Sequence, residues 1–148
     1  MTDKTSFSLV GKRILVTGAA GYLGTEICDY LLRVGSTVFA ADINELALTN
    51  LAGRTTQHPG ELVTCVTNLK DEGERISLSD ELSGYDSALD GVVFSAAFVG
   101  TSELAGWAVE FESQSLVAWR EALELNLTAP FHLSQLLAPI LRAGSEPS

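Results

Sequence analysis

Three glycines spaced three apart, Gly18, Gly21 and Gly24, and an aspartate at position 42 are the residues whose types and spacing can do chemistry. They follow an apolar run, Ile14, Leu15 and Val16, and open a periodic helix, which is how a chain binds phosphate with its backbone. The first turn of a helix offers unpaired N–H groups and about half a positive charge, so an anion settles there without a lysine. Gly18 allows the tight turn out of the strand, Gly21 lets backbone approach phosphate with no Cβ between, and Gly24 lets the helix pack closely on the sheet. The spacing is Gly-x-x-Gly-x-x-Gly rather than Gly-x-Gly-x-x-Gly, so the flanking strand and helix carry much of the weight.

Asp42 ends a second apolar run, Thr37 to Ala41, and lies 24 residues after Gly18. A carboxylate there accepts hydrogen bonds from adenosine ribose hydroxyls and repels a 2′-phosphate. Ile43, Asn44 and Glu45 follow without a lysine or arginine to reverse that preference, which points to NAD, with NADP second. Asp42 could instead cap a helix from Asn44 to Leu51, and the two roles are compatible. No Gly-Lys-Ser/Thr closes the glycine loop, so the phosphate-loop nucleoside triphosphatases are excluded. Cys28, Cys65, His58 and His132 lack metal-ligand spacing, and no metal site is expected.

The elements that must position these groups alternate. Strands are expected at 12–17, 36–41, 61–67 and 90–95, and helices at 22–34, 44–52, 70–83 and 114–142. Leu23, Ile27, Tyr30, Leu31 and Val34 draw the expected buried stripe of the first helix, with Gly35 as its left-handed cap. Strand alternating with helix calls for a Rossmann-type α/β fold, a doubly wound parallel sheet with helices on both faces. The one long connection, 98–112, lies at the sheet edge where ligands bind, and its Trp107 and Phe111 either line a pocket or pin the loop to the core.

Length allows a single domain. The net charge of −10 argues against nucleic acid and anionic membrane as partners. No apolar stretch approaches the ~20 residues of a membrane span and no secretory signal is visible, so a cytoplasmic location is expected.

Thr17-Gly18-Ala19-Ala20-Gly21-Tyr22-Leu23-Gly24, together with Asn126 in Trp119-Arg-Glu-Ala-Leu-Glu-Leu-Asn126-Leu-Thr-Ala-Pro-Phe131, resembles the short-chain dehydrogenase/reductase family over residues 9–142. The resemblance implies an oxidoreductase passing hydride between a nicotinamide and an alcohol or carbonyl of a small-molecule substrate. It implies that the glycine motif, Thr17 and Ala20 to Gly24 included, holds the cofactor. It also implies Asp42 and Ile43 at the adenosine, Asn68 and Leu69 beside the adenine, and Ser95, Ala96 and Ala97 under the nicotinamide ribose. Asn126 is implied as the catalytic asparagine that organises a relay water. Its residue-level alternative is a polar side chain bonding helix carbonyls ahead of Pro130.

The chain departs from the family pattern in three ways. The glycine spacing is that of the sugar-nucleotide branch, which keeps an epimerase or dehydratase open as an alternative. Phe94-Ser95-Ala96-Ala97 stands where Asn-Asn-Ala-Gly is common, and Asn68 where aspartate is usual. The third concerns the proton: the resemblance implies a tyrosine acid/base with a lysine four residues later and a serine holding the substrate oxygen, whereas Tyr22, Tyr30 and Tyr85 are followed four residues on by Glu26, Val34 and Leu89, and the last lysine is Lys70. A phenol near pKa 10 needs a cation to exchange protons near neutrality. The 148 residues are therefore expected to be one incomplete domain, a cofactor half lacking its C-terminal strands and inactive alone, or else a non-catalytic NAD-binding module. The strand at 90–95 is expected to be an edge. With Leu116, Trp119, Leu123, Leu127 and Phe131 of helix 114–142, it would form an exposed surface that pairs copies into a homo-oligomer.

Overall fold

A computed structural model of the chain describes residues 9–85, 88–98 and 105–144. Four strands, β1 (Arg13–Thr17), β2 (Thr37–Asp42), β3 (Glu61–Val66) and β4 (Gly91–Phe94), form one parallel sheet in the order β3-β2-β1-β4. Leu15 sits opposite Phe39 on one side and Val92 on the other, and Asp42 opposite Val66. Among the described residues β4 is an edge, paired with β1 alone. The chain leaves β1 toward β2 and returns on the far side to β4, so the switch point lies between β1 and β4.

Alternation along the strands divides the core in two. Val16, Val38 and Ala40 pack against Cys28, Leu31 and Leu32 of α1 (Tyr22–Arg33) and Leu48 and Leu51 of α2 (Glu45–Thr55). On the other face Leu15, Phe39 and Ala41 pack against Leu78 and Leu82 of α3 (Glu72–Ser83) and Leu133 and Leu137 of α5 (Ala129–Arg142). Each fully buried leucine contributes about 1.5–3 kcal/mol of transfer free energy. The fold is thus the doubly wound parallel sheet that the sequence pattern calls for.

The buried stripe of α1 differs from the expected one. Gly24, Cys28, Leu31 and Leu32 face the sheet, whereas Leu23 and Tyr30 turn to solvent. The close contact of Gly24 with Gly18 sets the helix rotation, and small residues occupy the positions nearest the sheet. Gly35 has φ +89°, as a left-handed cap requires. Helix α2 runs through Gly53 to Thr55, whose hydroxyl donates to the Leu51 carbonyl. Helix α3 starts at Glu72 because Asp71 caps it by accepting from Glu74 N–H.

The expected single helix at 114–142 is three pieces: α4 (Leu116–Leu123), a π-helical segment at Glu124–Thr128, and α5. The Ala129 N–H reaches back five residues to the Glu124 carbonyl. Pro130 has no N–H to give the Asn126 carbonyl, so the regular ladder fails where the π segment takes over. Of the long connection, residues 99–104 lie outside those described. Trp107 is half-buried, but Phe111, in a short 3-10 turn at Phe111–Ser113, is 82% exposed and pins nothing to the core.

Candidate functional site

At the carboxyl edge of the sheet, over the switch point, lies a cleft of about 420 Å³. That volume falls within the ~300–1,000 Å³ range of small-molecule and cofactor sites. Gly18 and Gly21 form one wall, Asp42, Ile43, Thr67, Asn68, Leu69 and Lys70 another, and Ser95 to Phe98 with Leu125 the third.

The glycine wall is shaped by close approach. Gly18 has φ +62°, and a Cβ there would stand 2.7 Å from the Ala96 backbone; a Cβ on Gly24 would stand 2.0 Å from the Gly18 carbonyl oxygen. These glycines let the tips of β1 and β4 and the start of α1 converge. Helices α2, α3 and α4 are each capped by a side chain, Asn44, Asp71 and Ser115, which accepts from an N–H of the first turn. Helix α1 has no side-chain cap at Gly21 and no acidic residue in its first turn. A helix start that opens into a cleft without a side-chain cap on its first turn fits an anionic phosphate.

Asp42 is built into this wall. One carboxylate oxygen accepts from Ala20 N–H at 3.0 Å and the other from Asn44 N–H at 2.9 Å. Since Asn44 itself caps α2, accepting from Ala47 N–H at 3.0 Å, Asp42 is left to brace the glycine loop. Each of its oxygens keeps lone-pair capacity for a further donor.

Nearby, the Asn68 amide oxygen accepts from Lys70 N–H at 3.1 Å in a local turn. The Thr17 hydroxyl is buried and accepts from Ala96 N–H at 3.4 Å, and Ser95 N–H donates to the Thr17 carbonyl. Thr17, Ala20 and Gly24 therefore stand behind the cleft wall rather than on it. Tyr22 and Leu23 point into solvent at its rim. The structure brings Gly18, Gly21, Asp42, Ile43, Asn68, Leu69, Ser95, Ala96 and Ala97 together on the lining.

Asn126 stands one residue beyond the lining and does not bond helix carbonyls with its side chain. Its Oδ1 accepts from Phe98 N–H at 2.7 Å and its Nδ2 donates to the Phe98 carbonyl at 3.0 Å. This paired clasp ties the π segment to the chain leaving β4. Lys70 adds a second strap, with its Nζ 3.0 Å from Glu121 Oε2 of α4 and 5.6 Å from the Phe98 ring centre. Thr67, Lys70, Phe98 and Leu125 are lining residues that sequence reasoning missed; each adjoins one of the recognised blocks Asn68-Leu69, Ser95-Ala97 and Asn126, and that adjacency could have flagged them.

Among the described residues no cluster of three or more His, Cys, Asp or Glu could hold a metal ion, and no helix is long and apolar enough to cross a membrane. Cys28 and Cys65 are free thiols buried in the two cores. Burial pushes both up to about 12, with Glu81 adding to the effect on Cys65.

A family profile described as short chain dehydrogenase matches residues 12–147. A short chain dehydrogenase/reductase, dpchG, of Colletotrichum higginsianum is 30% identical over 147 residues, covering 99% of this chain and 53% of that protein. The structure of Pseudomonas aeruginosa RhlG in an NADP active-site complex superposes with a TM-score of 0.77 at 26% identity, covering 95% of this chain and 50% of the other. A 7α-hydroxysteroid dehydrogenase solved with NADH and 7-oxo glycochenodeoxycholic acid gives 0.78 at 30% identity, covering 90% and 49%. The chain spans about half the length of the curated relatives it matches.

Proposed function

The chain belongs to the short-chain dehydrogenase family, and from that premise we propose that these 148 residues are the cofactor half of an NAD-dependent oxidoreductase acting on a small alcohol or carbonyl compound. The observation that carries the reading is the first turn of α1, without a side-chain cap, opening on a cleft that it shares with the Asp42 carboxylate. The nicotinamide would supply or take up hydride, and the protein supplies binding and orientation.

In this reading the N–H groups of α1 hold the pyrophosphate. Asp42, with lone pairs left over from Ala20 and Asn44, accepts from the ribose hydroxyls and would meet a 2′-phosphate as a like charge. NAD is favoured over NADP on that ground. Ile43, Asn68 and Leu69 lie against the adenine, and Ser95, Ala96 and Ala97 support the nicotinamide ribose. The side chain of Asn126 is occupied by Phe98, so the atom it offers to a relay water is its main-chain carbonyl, which Pro130 leaves without its α-helical donor. The tyrosine and lysine that exchange the proton come from outside these residues. We place the protein in the cytoplasm, where buried free thiols such as Cys28 and Cys65 persist.

The exposed apolar residues Leu116, Trp119, Leu123, Leu127 and Phe131 are proposed to meet a second copy of the chain. An apolar helix face pairs with itself about a two-fold axis without complementary charges. Sedimentation that finds only monomer at micromolar concentration contradicts this pairing.

Fluorescence titration tests the cofactor reading, with NADH expected to bind at least about tenfold more tightly than NADPH. Tighter NADPH binding overturns the Asp42 assignment. A second reading, an NAD-binding module without catalysis, is favoured by the lack of any tyrosine followed four residues on by lysine. Binding without turnover across secondary alcohols and sugar nucleotides selects it.

A further inference from the structure

Arg75 is an arginine of α3 that is 3% exposed, and its guanidinium reaches three separate stretches of chain. Its Nη1 donates to the Leu69 carbonyl at 2.6 Å and to Glu124 Oε1 at 2.8 Å, and its Nε donates to His132 Nδ1 at 3.1 Å. Leu69 lines the cleft, Glu124 is the first residue of the π segment, and His132 lies in α5 beyond it.

Glu124 and His132 are eight residues apart. In an uninterrupted α-helix that separation puts two side chains about 80° apart around the axis. A π segment absorbs one extra residue, so the pair takes the relation of positions seven apart, within about 20° of one face. One guanidinium can then hold both. The Arg75 fork therefore matches the π register and mismatches the regular one. Arginine suits this task because its donors are fixed in a plane and spread over Nε and Nη1; a lysine carries all three of its donors on one nitrogen and cannot span the same acceptors.

We propose that Arg75 is a positioning residue that selects the π register and so aims Asn126 at Phe98. This rests on the reading in which Asn126 serves the nicotinamide end of the cleft, but the register itself can be tested without cofactor. Pro130 denies the Asn126 carbonyl its α-helical donor but does not fix where the extra residue sits; without the fork the bulge is free to shift along the helix, which turns Asn126 relative to α5 by up to about 100°, one residue's rotation. The clasp on Phe98 then opens. Since the Leu69 carbonyl shares Nη1, the same group keeps the adenine wall in step with the asparagine.

The test is amide hydrogen exchange on the full chain without ligand, comparing wild type with Arg75→Met and Glu124→Ala. The Glu124 side chain is about one-third exposed, so its removal leaves a folded control if Arg75→Met does not fold. The Phe98 amide and the Asn126 side-chain amide are expected to lose at least about tenfold protection in the folded variants. The Ser95 amide, which donates to the Thr17 carbonyl, should keep its protection. Unchanged protection at Phe98 overturns the proposal, and so does an equal loss at Ser95, which means general loosening. A failure of NADH to bind would instead strike the cofactor reading and leave these rates as they are.

Discussion

One end of the cleft is walled by main chain, where Gly18 and Gly21 present no Cβ, Gly24 packs directly behind them and α1 starts without a side-chain cap; the other is held by side chains, with Asn126 clasping Phe98 and Arg75 bridging α3 to α5. The two ends respond to change differently. A backbone wall is set by local geometry and tolerates nothing that adds volume. A side-chain wall depends on partners far away in sequence and can be loosened by degrees. Binding of the phosphate groups should therefore be all or none with respect to the glycines, and placement at the nicotinamide end should be graded.

The largest effect expected is from Gly24→Val. Its Cβ would lie 2.0 Å from the Gly18 oxygen with only backbone to yield, and denaturant unfolding should show a loss of about 3 kcal/mol or more. A smaller loss would mean that the glycine wall is slacker than its geometry indicates. Asp42→Ala comes next. It frees the Ala20 and Asn44 N–H groups and removes the acceptor for ribose, so NADH affinity should fall roughly 10- to 100-fold in calorimetry while NADPH loses less.

Asn126→Ala should cost about 1–2 kcal/mol of stability for its two hydrogen bonds and change NADH affinity by no more than about threefold. An affinity loss matching that of Asp42→Ala would erase the difference between the ends. The smallest effect concerns the cores behind them. Cys28 and Cys65, both pushed up to about 12 by burial, should resist iodoacetamide at pH 8 equally until the chain unfolds. Because the folded state holds these protons more tightly than the unfolded one, their contribution is intact below about pH 8.5 and declines as pH rises toward 12. Faster alkylation of Cys65 would show that the face under α3 and α5 is the looser one.

Legibility in the sequence followed the same division. The alternation of strand and helix and the placing of Asp42 at the tip of β2 were readable because each depends on neighbours within a few residues. The stripe of α1 was misjudged at Leu23 and Tyr30, since large apolar residues suggest burial whereas the tight contact at Gly24 fixes which side faces the sheet. The π segment escaped notice because Trp119, Leu123, Leu127 and Phe131 keep a four-residue spacing that reads as one helix face, and only Pro130 hinted that the Asn126 carbonyl would lose a donor. Arg75 was invisible, as its partners Glu124 and His132 lie 49 and 57 residues away.

The grip of main-chain amides on a pyrophosphate at the start of α1 is tested most directly by following backbone amide resonances of the protein during titration with NAD. The largest shifts are expected at Gly21 to Gly24, saturating together with those at Asp42 and Asn44. Saturable binding that leaves Gly21 to Gly24 unmoved, or no binding at all, would contradict it.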